Sequence, residues 1–150
     1  APHGLVAKQQ VEKLPLVRGW MRLLHCVFLD RDDARKAMSS LNEAIENVKK
    51  GYSVTIFPEG TRNKGAEGSL LEFKGGAFRI ATKSGAPVVP VAITGSRDIM
   101  ENNNMLMRPA TVTMRILPPI ETEGLSRPEI KTLPERTKAA IGAHLQNKEA

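Results

Sequence analysis

The chain has 150 residues, which fits one domain over residues 1–150 and is long enough to bury a hydrophobic core. Its 41% hydrophobic and 25% charged residues are typical of a globular protein and argue against disorder. A formal net charge of +6 favours anionic partners, whereas a 4% aromatic content weakens the case for stacking on nucleic-acid bases.

Short apolar runs rich in β-branched residues recur along the chain. They are HCVFLD, SVTIF, PVVPVAI and ATVTMRIL, and each predicts a strand buried on both faces. The first run contains the single cysteine, Cys26, which is expected to be a small buried filler and excludes a disulfide framework or a cysteine-rich metal site. No run approaches the roughly 20 apolar residues that a membrane span needs.

Three helices are predicted between and after these strands, over residues 34–50, over residues 76–84, and from Pro134 onward. Asp32 or Asp33 is placed to cap the start of the first helix, and Gly51 and Gly85 to end the first two. The alternation of strands and helices predicts an α/β fold with a mostly parallel central sheet flanked by helices.

Residues 14–24, LPLVRGWMRLL, combine apolar residues with Arg18 and Arg22. Such a segment forms either an amphipathic helix in a membrane interface or a core-packing helix that joins two strands. The core-packing interpretation is favoured for most of the apolar residues.

The stretch TIFPEGTRNKG, residues 55–65, follows directly from a predicted strand. Pro58 ends the strand, and Gly60 allows a tight or left-handed turn. Thr61 adds a hydroxyl, and Arg62 adds a planar fork that matches phosphate or carboxylate oxygens. Glu59 either holds Arg62 in place or binds a substrate hydroxyl.

A second basic segment, FKGGAF, places Lys74 before two glycines that open a predicted helix. A helix N-terminus presents N–H groups and a positive dipole end to an anion, and ligands of α/β proteins bind at the carboxyl ends of the strands. Arg62, Lys74 and this helix start are therefore a candidate phosphate site. On pattern alone, a surface turn with a Glu/Arg ion pair explains the stretch equally well.

Three blocks, VFLDRDD, FPEGTRN and FKGGAFRIATKSGAPVVPVAI, resemble in order and spacing those of the glycerolipid acyltransferase family, of the 1-acyl-sn-glycerol-3-phosphate acyltransferase type. The likeness runs from about Val6 onward. It implies that the acceptor phosphate is bound by Arg31, Glu59, Gly60, Thr61, Arg62 and Lys74. It also implies that the acyl chain lies on the side of Val89, Pro90 and Val91.

The resemblance implies transfer of an acyl group from acyl-CoA or an acyl carrier protein thioester to lysophosphatidic acid, giving phosphatidic acid. Apart from the thioester, which is a co-substrate, no cofactor or metal is expected. The work would take place at the cytoplasmic face of a membrane, where the basic charge favours docking on anionic headgroups.

Family members also carry a His-x-x-x-x-Asp block, in which the histidine is the general base and the aspartate orients it. It lies upstream of the region resembling GLVAKQQVEKLPLVRGWMRLL, so we expect it before Ala1. His25 and Asp30 have the same spacing inside the chain. If both lie on a strand, however, they face opposite sides of the sheet roughly 16 Å apart, so we interpret this match as coincidental.

Two hypotheses from other classes stay open on the sequence. One is a non-catalytic lipid-phosphate binding module that lacks the His/Asp pair. The other is a nucleic-acid binder, which is suggested by charge alone and predicts a steep dependence of affinity on salt.

Overall fold

The structure, a computed structural model, describes residues 3–30 and 32–145. Its strands are β1 (His3–Lys8), β2 (Val27–Leu29), β3 (Ser53–Thr55), β4 (Val91–Thr94) and β5 (Thr113–Ile116). Its α-helices are α1 (Pro15–Leu23), α2 (Ala34–Lys49), α3 (Gly75–Ser84) and α4 (Arg127–Leu145). Strands and helices alternate from β1 to β4, which confirms the predicted α/β class.

A parallel three-stranded sheet has the order β2-β1-β3. Val6 of β1 is paired with Val27, and Leu5 with Thr55, so β1 is the central strand. Strand β1 was not predicted, because only three consecutive residues of HGLVAK are apolar. The central strand is therefore the one with the weakest local pattern.

The second sheet differs from the prediction. β4 and β5 are antiparallel, with Val91 opposite Ile116, and a bridge between Val88 and Ile120 extends the pair. All four residues of β5 are exposed, so the expectation of a strand buried on both faces was wrong there. The alternating small and large β-formers of this run fit an antiparallel strand equally well, and pattern alone does not separate the two arrangements.

The predicted ends of α2 and α3 are confirmed. The Asp33 carboxylate accepts hydrogen bonds from the backbone N–H groups of Arg35 (2.9 Å) and Lys36 (3.1 Å), which is N-capping by a side chain. Gly85 follows α3 in the left-handed conformation, with φ of 75°. These caps are local features, and so the sequence predicts them well.

The start of α4 was predicted wrongly. The helix begins at Arg127 and contains Pro134, which was expected to open it. The Glu129 carboxylate accepts from both the backbone N–H and the hydroxyl of Ser126, which fixes the earlier start. Pro134 removes one helix hydrogen bond, but the preceding Leu133 is completely buried, and its packing offsets that loss.

Two hydrophobic clusters make up the core. One, beneath the parallel sheet, contains Val6, Val27, Ala44, Ile45 and Ile80. The other, between α4 and the antiparallel pair, contains Phe73, Phe78, Ala92, Leu117, Leu133, Ile141 and Leu145. Helix α3 contributes Phe78 to one cluster and Ile80 to the other. Its position is thus fixed from two sides.

Helix α1 packs differently from expectation. None of its residues is buried, and Leu16 and Trp20 are 85% and 71% exposed. The favoured core-packing interpretation of residues 14–24 was therefore wrong within the described residues, although the segment does join two strands. Over residues 3–30 and 32–145, no helix combines the length and apolar character needed to cross a membrane.

Candidate anion-binding site at the carboxyl edge of the sheet

The FPEGTR residues form a tight turn just beyond the carboxyl end of β3. The N–H of Gly60 donates to the carbonyl of Phe57 (3.1 Å), and Gly60 has φ of 72°. This is the left-handed conformation predicted for it, which a residue with a Cβ resists.

Two hydrogen bonds join this turn to the segment that leads into α3. The N–H of Lys74 donates to the carbonyl of Pro58 (2.8 Å). The Glu59 carboxylate accepts from the N–H of Leu71 (3.2 Å). The Glu59 side chain therefore links the turn to the segment before α3, a role that was not predicted from the sequence. The two candidate basic segments are brought together as expected.

Arg62 is the exposed basic residue of the turn, with 66% of its side chain accessible. Its Nη1 lies 3.6 Å from Oε1 of Glu101, so the ion pair in the described structure is with Glu101 and not with Glu59. A single contact of this length is longer than a hydrogen bond. The guanidinium can therefore still present a bidentate edge to phosphate.

The start of α3 lies open. Lys74, Gly75 and Gly76 are all exposed, and no side chain caps the helix. A Cβ added to Gly75 or Gly76 would meet nothing within 4 Å, so the packing of the protein does not require either glycine. The first N–H groups of a helix lack intrahelical partners. This helix end can therefore receive an anion at close range.

The structure gives less information on two other predicted phosphate ligands, Thr61 and Arg31. Thr61 is exposed in the turn. Arg31 lies outside the described residues. Asp30, at the end of β2, is 3.6 Å from the ammonium group of Lys36.

The predicted acyl-side residues lie apart from the turn in the chain and belong to the antiparallel pair. Val89 is exposed, the carbonyl of the buried Pro90 accepts from Leu117 N–H (2.9 Å), and Val91 begins β4. A cleft of about 400 Å³ lies between Gly68–Leu70 and α4, but Val89, Pro90 and Val91 do not line it. Their acyl-chain role stays a prediction.

His25 and Asp30 lie at opposite ends of β2. His25 precedes the strand in a left-handed conformation, with φ of 57°, so the expectation that it is part of the strand was wrong. Its ring stacks on that of Tyr52, with centroids 4.0 Å apart. The separation of the pair by the whole strand agrees with its interpretation as coincidental.

Several residues that shape this edge were not predicted from the sequence. Asn63 accepts from Gly65 N–H (2.8 Å) and donates to the Ser69 carbonyl (2.8 Å), and this local turn could have been found from the TRNKG pattern. Glu101 contacts Arg62 although the two residues are far apart in the chain, and no local sequence pattern predicts such a contact. Among the described residues, no cluster of acidic, histidine or cysteine side chains has the arrangement of a metal site.

A family model described as acyltransferase matches residues 2–94. The 1-acyl-sn-glycerol-3-phosphate acyltransferase of Saccharomyces cerevisiae is 33% identical over 135 residues, covering 89% of this chain and 45% of the relative. The protein of the same name from Cocos nucifera is 35% identical over 147 residues, covering 96% of this chain and 47% of the relative.

The crystal structure of the 1-acyl-sn-glycerophosphate (LPA) acyltransferase from Thermotoga maritima superimposes with a TM-score of 0.77 and 31% identity. That comparison covers 100% of this chain and 59% of the other. The chain thus spans about half the length of the curated relatives it matches. The family match includes β1 to β4 and therefore the whole FPEGTR turn.

Proposed function

The chain belongs to the acyltransferase family, and we propose that it is the acceptor-binding part of an enzyme that acylates lysophosphatidic acid to phosphatidic acid. The names of the relatives from Saccharomyces cerevisiae and Cocos nucifera support this substrate. The observation that carries the proposal is the pair of hydrogen bonds, Lys74 to Pro58 and Leu71 to Glu59, that joins the turn to the start of α3.

The chemistry of the acceptor fits this edge of the sheet. Lysophosphatidic acid presents a phosphate monoester, and its oxygens suit the planar guanidinium of Arg62. Lys74 adds a second positive charge, and the open N-terminus of α3 adds N–H donors. We also propose that Arg31, Gly60 and Thr61 contribute to the phosphate site, in line with the family resemblance.

In the proposed reaction, the free hydroxyl oxygen of the acceptor attacks the thioester carbonyl carbon. The new C–O ester bond forms, the C–S bond breaks, and the thiol of the carrier leaves with the proton. Acyl-CoA or an acyl carrier protein thioester supplies the acyl group. We propose that the base is the histidine of the family's His-x-x-x-x-Asp block. The role of this chain is to hold the phosphate, which makes the attack effectively intramolecular.

We propose that the reaction takes place at a membrane, because acceptor and product are both lipids, and at its cytoplasmic face, in line with the family resemblance. The exposed apolar face of α1 supports docking there, since Leu16, Trp20 and Leu23 recur at helical spacing and Arg18 lies between them. The net charge of +6 favours an anionic surface. Val89, Pro90 and Val91 are proposed to face the acyl chain.

The test is a thioester-release assay with a long-chain acyl-CoA and lysophosphatidic acid. It compares this chain with a longer protein that includes the upstream sequence of its gene. We expect turnover in the longer protein and its loss in Arg62→Ala, with the fold intact by circular dichroism. A folded longer protein that does not release thiol on any lysophospholipid would refute the activity.

One observation favours a second candidate, a lipid-phosphate binding module without catalysis. His3 lies at the start of β1 and His25 just before β2, so both are at the amino end of the parallel sheet, opposite the FPEGTR turn. Neither histidine is therefore placed to act as the general base for an acceptor bound at that turn. The same assay separates the candidates. Acceptor binding without thioester release, in the longer protein as well, would favour the binding module.

A further inference from the structure

A second exposed apolar feature lies outside residues 2–94, the range that the family model matches. Met105, Leu106 and Met107 are consecutive and are 57%, 63% and 81% exposed. Single apolar residues on a surface are ordinary, but three in a row at the end of a loop are not. We call these three residues the apolar tip.

The loop that carries the apolar tip is closed by its own hydrogen bonds. The N–H of Arg108 donates to the carbonyl of Ile99 (2.8 Å), and the N–H of Met105 to the carbonyl of Met100 (3.0 Å). Asn104 and Met105 are both left-handed, with φ of 51° and 63°, a conformation that is uncommon for methionine. The structure thus displays these side chains on a defined loop.

The same loop is attached to the candidate phosphate site. Glu101 lies 3.6 Å from Arg62, and Arg97 donates a hydrogen bond to the carbonyl of Gly65, three residues after Arg62. Met105 lies four positions after Glu101, so their Cα atoms are at most about 14 Å apart even if the chain between them is fully extended. The apolar tip therefore stays within a short, fixed reach of Arg62.

We propose that the apolar tip inserts into the acyl-chain boundary of an anionic membrane and thereby holds Arg62 at the level of the lipid headgroups. The inference rests on the proposed function, which makes the ligand of Arg62 a membrane lipid. Interfacial segments bury their apolar side about 5–10 Å deep. Because Met105 is only four positions from Glu101, which contacts Arg62, insertion of the tip keeps Arg62 close to the phosphate layer.

Charge and size favour a lipid surface over a protein partner. Arg108 follows the apolar tip directly, and Glu101 faces Arg62. Asp98 keeps its charge, since it accepts from the neutral amide of Asn102 (2.7 Å), but the adjacent Arg97 balances that charge. Three side chains are too few for a stable protein interface, which needs about 1,200 Å² or more of buried surface. Insertion of a few apolar residues beside a basic one suits an anionic bilayer.

The first experiment is sedimentation of the 150-residue chain with vesicles of phosphatidylcholine and phosphatidic acid. The variant M105S/L106S/M107S is compared with M38S/I130S, which removes two exposed apolar residues elsewhere. We expect the partition coefficient to fall at least about tenfold in the tip variant and less than about twofold in the control. Equal partition of both variants and the wild type would overturn the proposal.

A second readout follows the apolar tip directly. Met107→Cys is labelled with an environment-sensitive fluorophore, and the buried Cys26 is left in place. We expect a blue shift when vesicles are added and quenching by brominated lipids, with no change for a label at the exposed Lys83→Cys. Sedimentation without a shift at position 107 would assign docking to other surfaces. A shift that depends on protein concentration without vesicles would indicate a second copy as the occupant, and both results overturn the proposal.

Neither readout depends on turnover. Vesicle binding through the tip in a protein without acyl transfer would refute the proposed function alone. Acyl transfer that is unchanged in the tip variant, with unchanged partition, would refute the inserted tip alone.

Discussion

The two edges of the parallel sheet use glycine for opposite reasons. At the amino edge, a Cβ added to Gly4 would lie 2.6 Å from the carbonyl oxygen of His25, so the backbones approach too closely for any side chain. At the carboxyl edge, a Cβ added to Gly75 or Gly76 would meet nothing within 4 Å. The protein itself needs the first glycine, and a ligand would need the other two.

Other residues show the same contrast, with close internal packing at the amino edge and exposed residues at the carboxyl edge. Beside Gly4, His25 stacks on Tyr52, and the buried Cys26 accepts a hydrogen bond from the N–H of Leu5 (3.3 Å). The carboxyl edge instead exposes Arg62 and is tied together by backbone hydrogen bonds. Substitutions at the amino edge should therefore change stability, and those at the carboxyl edge should change binding.

Gly4→Ala should have the largest effect, a loss of about 3 kcal/mol in the free energy of unfolding, because neither backbone segment can move without disturbing the sheet. Urea denaturation followed by circular dichroism measures it. Gly19→Ala in α1 is the matched control, since a Cβ there meets nothing. If both variants were as stable as the wild type, the amino edge would not be closely packed.

His25→Ala should cost about 1 kcal/mol through the lost stacking with Tyr52. His25→Gly should cost less than His25→Ala, because glycine adopts the left-handed conformation without strain. The same denaturation experiment compares the two. A selective collapse of acyl transfer in a well-folded His25→Ala protein, made in the longer sequence, would instead make His25 catalytic.

Gly76→Ala should raise the stability by about 0.5 kcal/mol, since alanine favours the helix. The same methyl group should narrow the approach of phosphate to the N-terminus of α3 and weaken its binding severalfold. Titration with a soluble short-chain lysophosphatidate, followed by phosphorus NMR, measures the affinity. Unchanged affinity would show that no anion binds close to this helix end.

The smallest effect concerns Asp33, which lies near the carboxyl edge but serves stability. The hydrogen bond from the N–H of Lys36 lowers the pKa of its carboxyl below the usual 3.8. Its charged form therefore contributes stability above pH 3.8, and this contribution is lost as the pH falls through the depressed pKa. Asp33→Asn keeps the capping oxygen but not the charge. The stability difference between the two proteins should shrink in this acidic range, and a constant difference would contradict the assignment.

Local signals and long-range contacts were predictable to different degrees. The left-handed turn at Gly60 and the caps at Asp33 and Gly85 depend on neighbouring residues, and the sequence predicted all three. The central strand β1 and the proline inside α4 depend on tertiary packing, which overrides weak local patterns.

The site shows the same limit. The sequence predicted that Arg62 and Lys74 lie at the same edge of the sheet, because ligand sites of α/β proteins lie at the carboxyl ends of the strands. It could not show that Glu59 binds the backbone of Leu71, or that Glu101 faces Arg62. Both contacts join segments that are far apart in the chain, and no periodicity or turn pattern in the sequence indicates them.

Calorimetric titration of the 150-residue chain with a short-chain lysophosphatidate at fixed ionic strength tests whether Arg62 binds the acceptor phosphate as proposed. Arg62→Ala is compared with Arg79→Ala, which removes an exposed arginine from α3. We predict a loss in affinity of about tenfold or more, or 1.4 kcal/mol, for Arg62→Ala and less than about twofold for Arg79→Ala. Equal affinities of the two variants would contradict a phosphate site at Arg62.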